Sequence, residues 1–193
     1  MKIAGKCISG IAVVSLAALL CITVGLPVVR GQATHVRWDI VTIAGGSPAP
    51  GGIASALSDN NSVITITGSG TFVAPAGHDG TSSATTGGGT FKIHTSDGTL
   101  RASGTYEVTG LVHWQEKGTF PALPDNAVGG LAVLRVEFSD GSHGVLTVSC
   151  HAASDSSPAI FEGITMSKDF VDFWNRQAPV AGVDANRNIF HIE

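Results

Sequence analysis

The chain has 193 residues, of which only 13% are charged, and its 15 acidic against 11 basic side chains give a formal net charge of −4. That acidic balance argues against nucleic acid and anionic membranes as partners, since both are bound through basic patches. Three cysteines are too few for a disulfide scaffold, while 25 glycines among sparse charges suit a β protein with polar, uncharged loops.

Residues 1–31 read as a secretory signal peptide. Lys2 and Lys6 give a positive start, Ile8 to Leu26 is almost wholly apolar, and small residues around Gly31 offer a cleavage site. The apolar run is also long enough to span a bilayer, so an uncleaved anchor is the alternative. Cleavage leaves residues 32–193 as one domain, secreted, periplasmic or extracellular, with no stable membrane insertion. It removes Lys2, Lys6 and Arg30, leaving eight basic against 15 acidic residues, a net charge of −7. Cys7 and Cys21 also leave, so Cys150 has no internal disulfide partner and reads as a small buried hydrophobe.

Thr34 to Ile43 alternates as a first strand, with Val36, Trp38, Ile40 and Thr42 on one face and Arg37, Asp39 and Val41 on the other. Ala44 to Gly52 is too rich in Gly and Pro for a regular element. With Ile53 to Asn61 it reads as a long connection, carrying a short helical turn near Ala54–Leu57. Ser62 to Val73 is a strand interrupted at Gly68 and Gly70. Pro75 to Gly89 is a second Gly-rich loop, containing His78 and Asp79. A Ser-Asp-Gly hairpin with Asp97-Gly98 at its tip follows, its register open, and Thr109 to Gln115 continues the meander.

Leu131 to His151 carries the strongest signal, two apolar β-branched runs around Ser139-Asp140-Gly141. A three-residue loop places Ala132, Leu134, Val136 and Phe138 on one face with Gly144, Leu146, Val148 and Cys150. A one-residue slip would mix charged and apolar side chains, so this register is favoured. Ile160 to Met166 is a further strand. Ser167 caps a short helix in which Phe170, Val171 and Trp174 form an apolar stripe, ended by Pro179. Val183 to Asn188 is a turn-rich link, and Ile189 to Ile192 is the last strand.

Gly-Thr-aromatic recurs at Gly70, Gly89, Gly104 and Gly118, a cue for up-and-down barrels. The expectation is an all-β fold, a single antiparallel β-barrel of about eight strands with one short C-terminal helix; a β-sandwich is the alternative.

No nucleophile elbow, zinc-protease, phosphate-loop, dinucleotide or Cys-x-x-Cys motif is present, and no cofactor is expected. Asn60-Asn61-Ser62 matches a glycosylation sequon. Arg135, Glu137 and His143 share one hairpin face, with Glu137 opposite His143. Turned to the lumen they would form a general base beside an anion stabiliser; turned to solvent they are a surface ion cluster. Tyr106, His113, Trp114 and Glu116 suit the rim of a small-molecule pocket, although Trp114 also fits the core. No metal site is expected. The histidines lack ligand-like spacing, and His143 and His151 stand roughly 26 Å apart along one strand.

The tail, GITMSKDFVDFWN followed by APVAGVDANRNIFHI, resembles a group of short secreted bacterial β-rich proteins without an assigned activity, a likeness covering most of residues 32–193. At the level of architecture the Gly-Thr-aromatic hairpins resemble calycin-type and allene-oxide-cyclase-like barrels. The lipocalin Gly-x-Trp is absent, since Val36-Arg37 precede Trp38. Neither likeness implies site residues. Three functions fit: binding of a small apolar molecule in the barrel lumen, a cofactor-free cyclase, isomerase or hydratase, and a structural or adhesive surface module.

Overall fold

A computed structural model of the protein describes residues 32–75, 81–123, 126–151, 160–176 and 186–193. Residues 1–31, read as a signal peptide, His78 and Asp79, Pro179 and the first half of the turn-rich link lie outside the described residues. The described chain forms β1 (Thr34–Ala44), β2 (Ser47–Pro50), β3 (Ala54–Ser58), β4 (Val63–Ile66), β5 (Ser69–Ala74) and β6 (Thr85–His94). These are followed by β7 (Leu100–Thr119), β8 (Ala127–Phe138), β9 (His143–Cys150), β10 (Gly163–Lys168), β11 (Val171–Arg176) and β12 (Arg187–Ile192).

Every pairing is antiparallel, and ten strands close a circuit: β12-β1-β5-β6-β4-β3-β11-β10-β9-β8 and back to β12. Outside it, β2 pairs with β1, and β7 pairs with both β6 and β8. The registers explain how so many strands enclose so small a core. β4 and β5 continue one another along the same edge of β6, Val63 opposite His94 and Phe72 opposite Thr85. On their far side β4 meets β3, whereas β5 meets β1. β8 branches likewise, to β9 along most of its length and to β12 at Val128. The wall therefore counts six strands at one end (β1, β5, β6, β7, β8, β12) and eight at the other. Closure leaves the barrel no free edge to recruit another chain, and the outlying β2 carries Pro48 and Pro50, which suit an edge.

Side chains fill the interior. At the six-strand end Trp114 packs against Phe72 and Phe190, with ring centroids 5.3 and 4.6 Å apart. Trp38, Tyr106, Leu134, Leu146 and Ile164 are all buried between the two ends. The Trp38 ring lies across the Gly68–Gly70 backbone: a Cβ on Gly70 would stand 2.9 Å from Trp38 Nε1 and overlap the Thr86 carbonyl. Tyr106, from the Gly-Thr-aromatic repeat, donates its hydroxyl to the Thr67 carbonyl at 2.9 Å, and burial pushes its ionisation far above the ordinary range. Of the repeat's other aromatics, Phe72 and Phe91 are also buried.

The eight-strand end is closed by Lys168. Its ammonium lies 5.0 Å from the Phe138 ring centroid, and it donates to Asp140 and Ser142 at 2.7 Å and to Asp169 at 3.1 Å. Burial disfavours the charge, but the two carboxylates more than offset this and leave its ionisation raised. Lys168→Ala is expected to destabilise the protein by about 1–3 kcal/mol in urea unfolding, since it removes charged hydrogen bonds and a packed stem together. Lys168→Met, which keeps most of the stem, should recover part of that loss.

Both Ser-Asp-Gly hairpins adopt the three-residue loop. Gly141 N–H donates to the Phe138 carbonyl and Gly98 N–H to that of Thr95, both glycines having positive φ. The central register is as expected, with Leu134 opposite Leu146 and Glu137 opposite His143. The apolar faces of β1 and of this hairpin point inward, and Cys150 is buried.

Several expectations are corrected. Among the described residues ten barrel strands, with two more outside them, replace about eight, because segments read as loops are paired. Ser47–Pro50 forms β2 on β1, and Ala54–Ser58 forms β3 rather than a helical turn. Thr85–Gly89, assigned to a loop, is the first half of β6. Nor does the C-terminal helix exist among the described residues. Asp169, at φ 54°, opens a tight turn, and Val171–Arg176 returns as β11 between β10 and β3. The i, i+1, i+4 stripe was ambiguous in so short a run, and extended pairing on both edges outweighs one isolated helical turn.

Candidate functional site

The outward row on β1 and β12 is set by their register, Arg37 opposite His191 and Asp39 opposite Ile189. Facing away from the barrel, Val41, Ala127 and Ile189 would be exposed unless covered. They form instead a second buried cluster, against which Phe120 and Leu123 pack. Above them β2 folds back along β1, with Pro50 opposite Val41 and Pro48 opposite Ile43. Between this ribbon and Leu123 lies a cleft of about 420 Å³. Its floor is apolar (Val41, Ala127, Ile189), its wall is Ser47 to Pro50, and its polar end is Arg37, Asp39 and His191.

The one cation at the polar end, Arg37, is already engaged by two carboxylates. Arg37 Nε donates to Asp39 Oδ2 at 2.8 Å, and its Nη1 lies 3.8 Å from Glu193 Oε1. Burial, aided by the Arg37 charge, holds the His191 imidazole below its ordinary range, against the pull of Asp39 and Glu193. The cleft thus combines apolar floor and walls with a few hydrogen-bonding groups and no spare cation, as suits a neutral, mostly apolar molecule.

The residues singled out in sequence lie elsewhere. Arg135, Glu137 and His143 are exposed on the outer wall, so they face solvent and not the lumen. Glu137 also stands directly across from Glu107. Relieving that like-charge pair by Glu137→Gln should stabilise the protein by a few tenths of a kcal/mol, read as a small rise in melting temperature. Tyr106, His113, Trp114 and Glu116 do not converge: Tyr106 and Trp114 point into the core, His113 is half-buried, and Glu116 is exposed. Among the described residues no three His, Cys, Asp or Glu side chains could jointly hold a metal ion. Burial, with Glu162 adding, pushes the Cys150 thiol far up, so it is poorly disposed to react.

In sequence the cleft is hidden, because Ser47 to Pro50 reads as loop. The available signal is Val41 and Ile189, apolar residues that follow polar ones on the outward faces of the first and last strands.

Comparisons with protein-family models, with curated proteins and with solved structures found no match to the chain.

Proposed function

We propose that the protein is a secreted β-barrel that binds a small, neutral, largely apolar molecule in the outer cleft between β1, β2 and β12. The carrying observation is the covered apolar patch of Val41, Ala127 and Ile189 on an outward face, beside a cleft of about 420 Å³. That volume lies within the range of small-molecule sites. The lumen is a poorer host, because aromatic and branched side chains already fill it. The apolar stretch following Lys2 and Lys6 supports an extracellular or periplasmic setting.

Nile red, a neutral apolar dye, tests the reading. Its fluorescence should rise saturably with the wild-type protein and not with Ala49→Trp, which fills the cleft from its wall. A signal equal in both proteins, or none in either, would refute the cleft as the site.

A further inference from the structure

A second site lies on another part of the wall, where Trp174 is 59% exposed while the other two tryptophans, Trp38 and Trp114, are buried. An exposed indole is ordinarily free to turn, but this one is pinned. Its Nε1 donates to Asp59 Oδ1 at 2.9 Å, tying β11 to the turn between β3 and β4. With its one donor engaged, the ring can offer a ligand only its face.

The neighbouring surface is a ladder of hydroxyls. Thr147 stands opposite Thr165, and Ser167 opposite Asp172, in two adjacent rows across β9, β10 and β11. Ser167 Oγ accepts from Val145 N at 3.0 Å, which fixes the oxygen and leaves its proton free to donate. These residues and Trp174 line a shallow groove of about 310 Å³, and no cation is found among its described lining residues.

We propose that this groove binds a neutral carbohydrate. A pyranose presents an apolar C–H face, which stacks on a fixed indole, and a rim of hydroxyls. Those would exchange hydrogen bonds with Thr147, Thr165 and Ser167 and donate to the Asp172 carboxylate. Phosphorylated, sulfated or uronic sugars are disfavoured by that carboxylate and the lack of a cation. An added peptide strand is disfavoured because β9, β10 and β11 are each paired on both edges. A quaternary ammonium would also suit an indole beside a carboxylate, but such sites surround the cation with several aromatic rings, and here Trp174 is exposed while Phe173 is buried.

Tryptophan fluorescence tests this directly, since Trp174 alone is exposed to a soluble quencher. The purified protein is titrated with cellotetraose, with chitotetraose and, separately, with choline, and acrylamide quenching is measured at each step. At least one of the two oligosaccharides should protect Trp174 saturably, and choline should not. Trp174→Leu removes the reporter, so its binding is followed by calorimetry and should weaken about tenfold, as for loss of one aromatic stack. Thr165→Val keeps the branched shape and the melting temperature, and should also weaken binding. Protection by choline alone, by no probe at millimolar concentration, or undiminished binding to Thr165→Val at an unchanged melting temperature would overturn the proposal.

Discussion

Replacing Trp38 with alanine is expected to lower the free energy of unfolding by about 3–5 kcal/mol, the range for truncating a buried large aromatic side chain. The ring is fully buried and belongs to the main core, and its neighbours form a closed wall with little room to collapse into the gap. Gly70→Ala should approach that cost from the other side of the contact. Its added methyl overlaps the Thr86 carbonyl and crowds Trp38 Nε1, both held by the barrel. Gly141→Ala is the contrast, since its Cβ would meet nothing within 4 Å and only its positive φ is penalised. Urea unfolding of the three variants should rank Trp38→Ala and Gly70→Ala well below Gly141→Ala. A Gly70→Ala protein as stable as wild type would mean that the indole does not lie on that backbone.

Stability should also depend on pH through Glu162, which sits where the wall branches. Its carboxylate accepts the N–H of Asn188 at 2.8 Å and that of His151 at 2.9 Å, joining β12 to the ends of β9 and β10. Asn188 spans the same fork, donating to the carbonyls of Ser149 and Gly163. Burial pushes the Glu162 carboxyl up from its ordinary 4.5 to about 7, despite those hydrogen bonds and the nearby Arg187 and His151. Between these values the folded protein keeps a proton that the unfolded chain has released. The associated stability is present below about pH 4.5 and is lost as pH rises through 7, a swing of up to about 3 kcal/mol.

Other groups pull the opposite way. Hydrogen bonds from Thr95 and Thr99 hold Asp97 down to about 2, and those from Lys168 and Ser142 hold Asp140 lower still. Their contributions are present above the ordinary carboxylate value of 3.8 and are lost as pH falls below it towards the lowered folded-state values. The lowered ionisation of His191 costs stability as pH falls below its ordinary value of 6.5 and so trims the Glu162 effect. The denaturation midpoint should therefore peak near pH 5 and decline towards pH 8. Glu162→Gln should flatten that decline while lowering stability overall, because its amide faces an N–H it cannot accept. A midpoint that rises from pH 5 to 8, or an unchanged slope in Glu162→Gln, would contradict this.

Much of the barrel was legible because its strands alternate. Val36, Trp38 and Ile40 against Arg37 and Asp39 set the face of β1, and the charge pattern around Ser139-Asp140-Gly141 chose the register of β8 and β9. Illegible were segments whose partners are distant in sequence. Ala54–Ser58 has too little alternation to read as a strand until β4 and β11 flank it. Phe170, Val171 and Trp174 fit a helical stripe as well as a turn and strand, and only pairing across 115 residues, Phe173 opposite Ser58, decides between them. The cleft was hidden for the same reason, since β2 is short, bears two prolines and exists only on β1.

Native mass spectrometry of protein from culture supernatant, wild type beside Ala49→Trp, tests the binding cleft most directly. The expected result is a discrete added mass on the wild type that disappears on denaturation and is missing from Ala49→Trp. A bare wild-type protein, or an adduct kept at equal occupancy by Ala49→Trp, would contradict a ligand held between β1, β2 and β12.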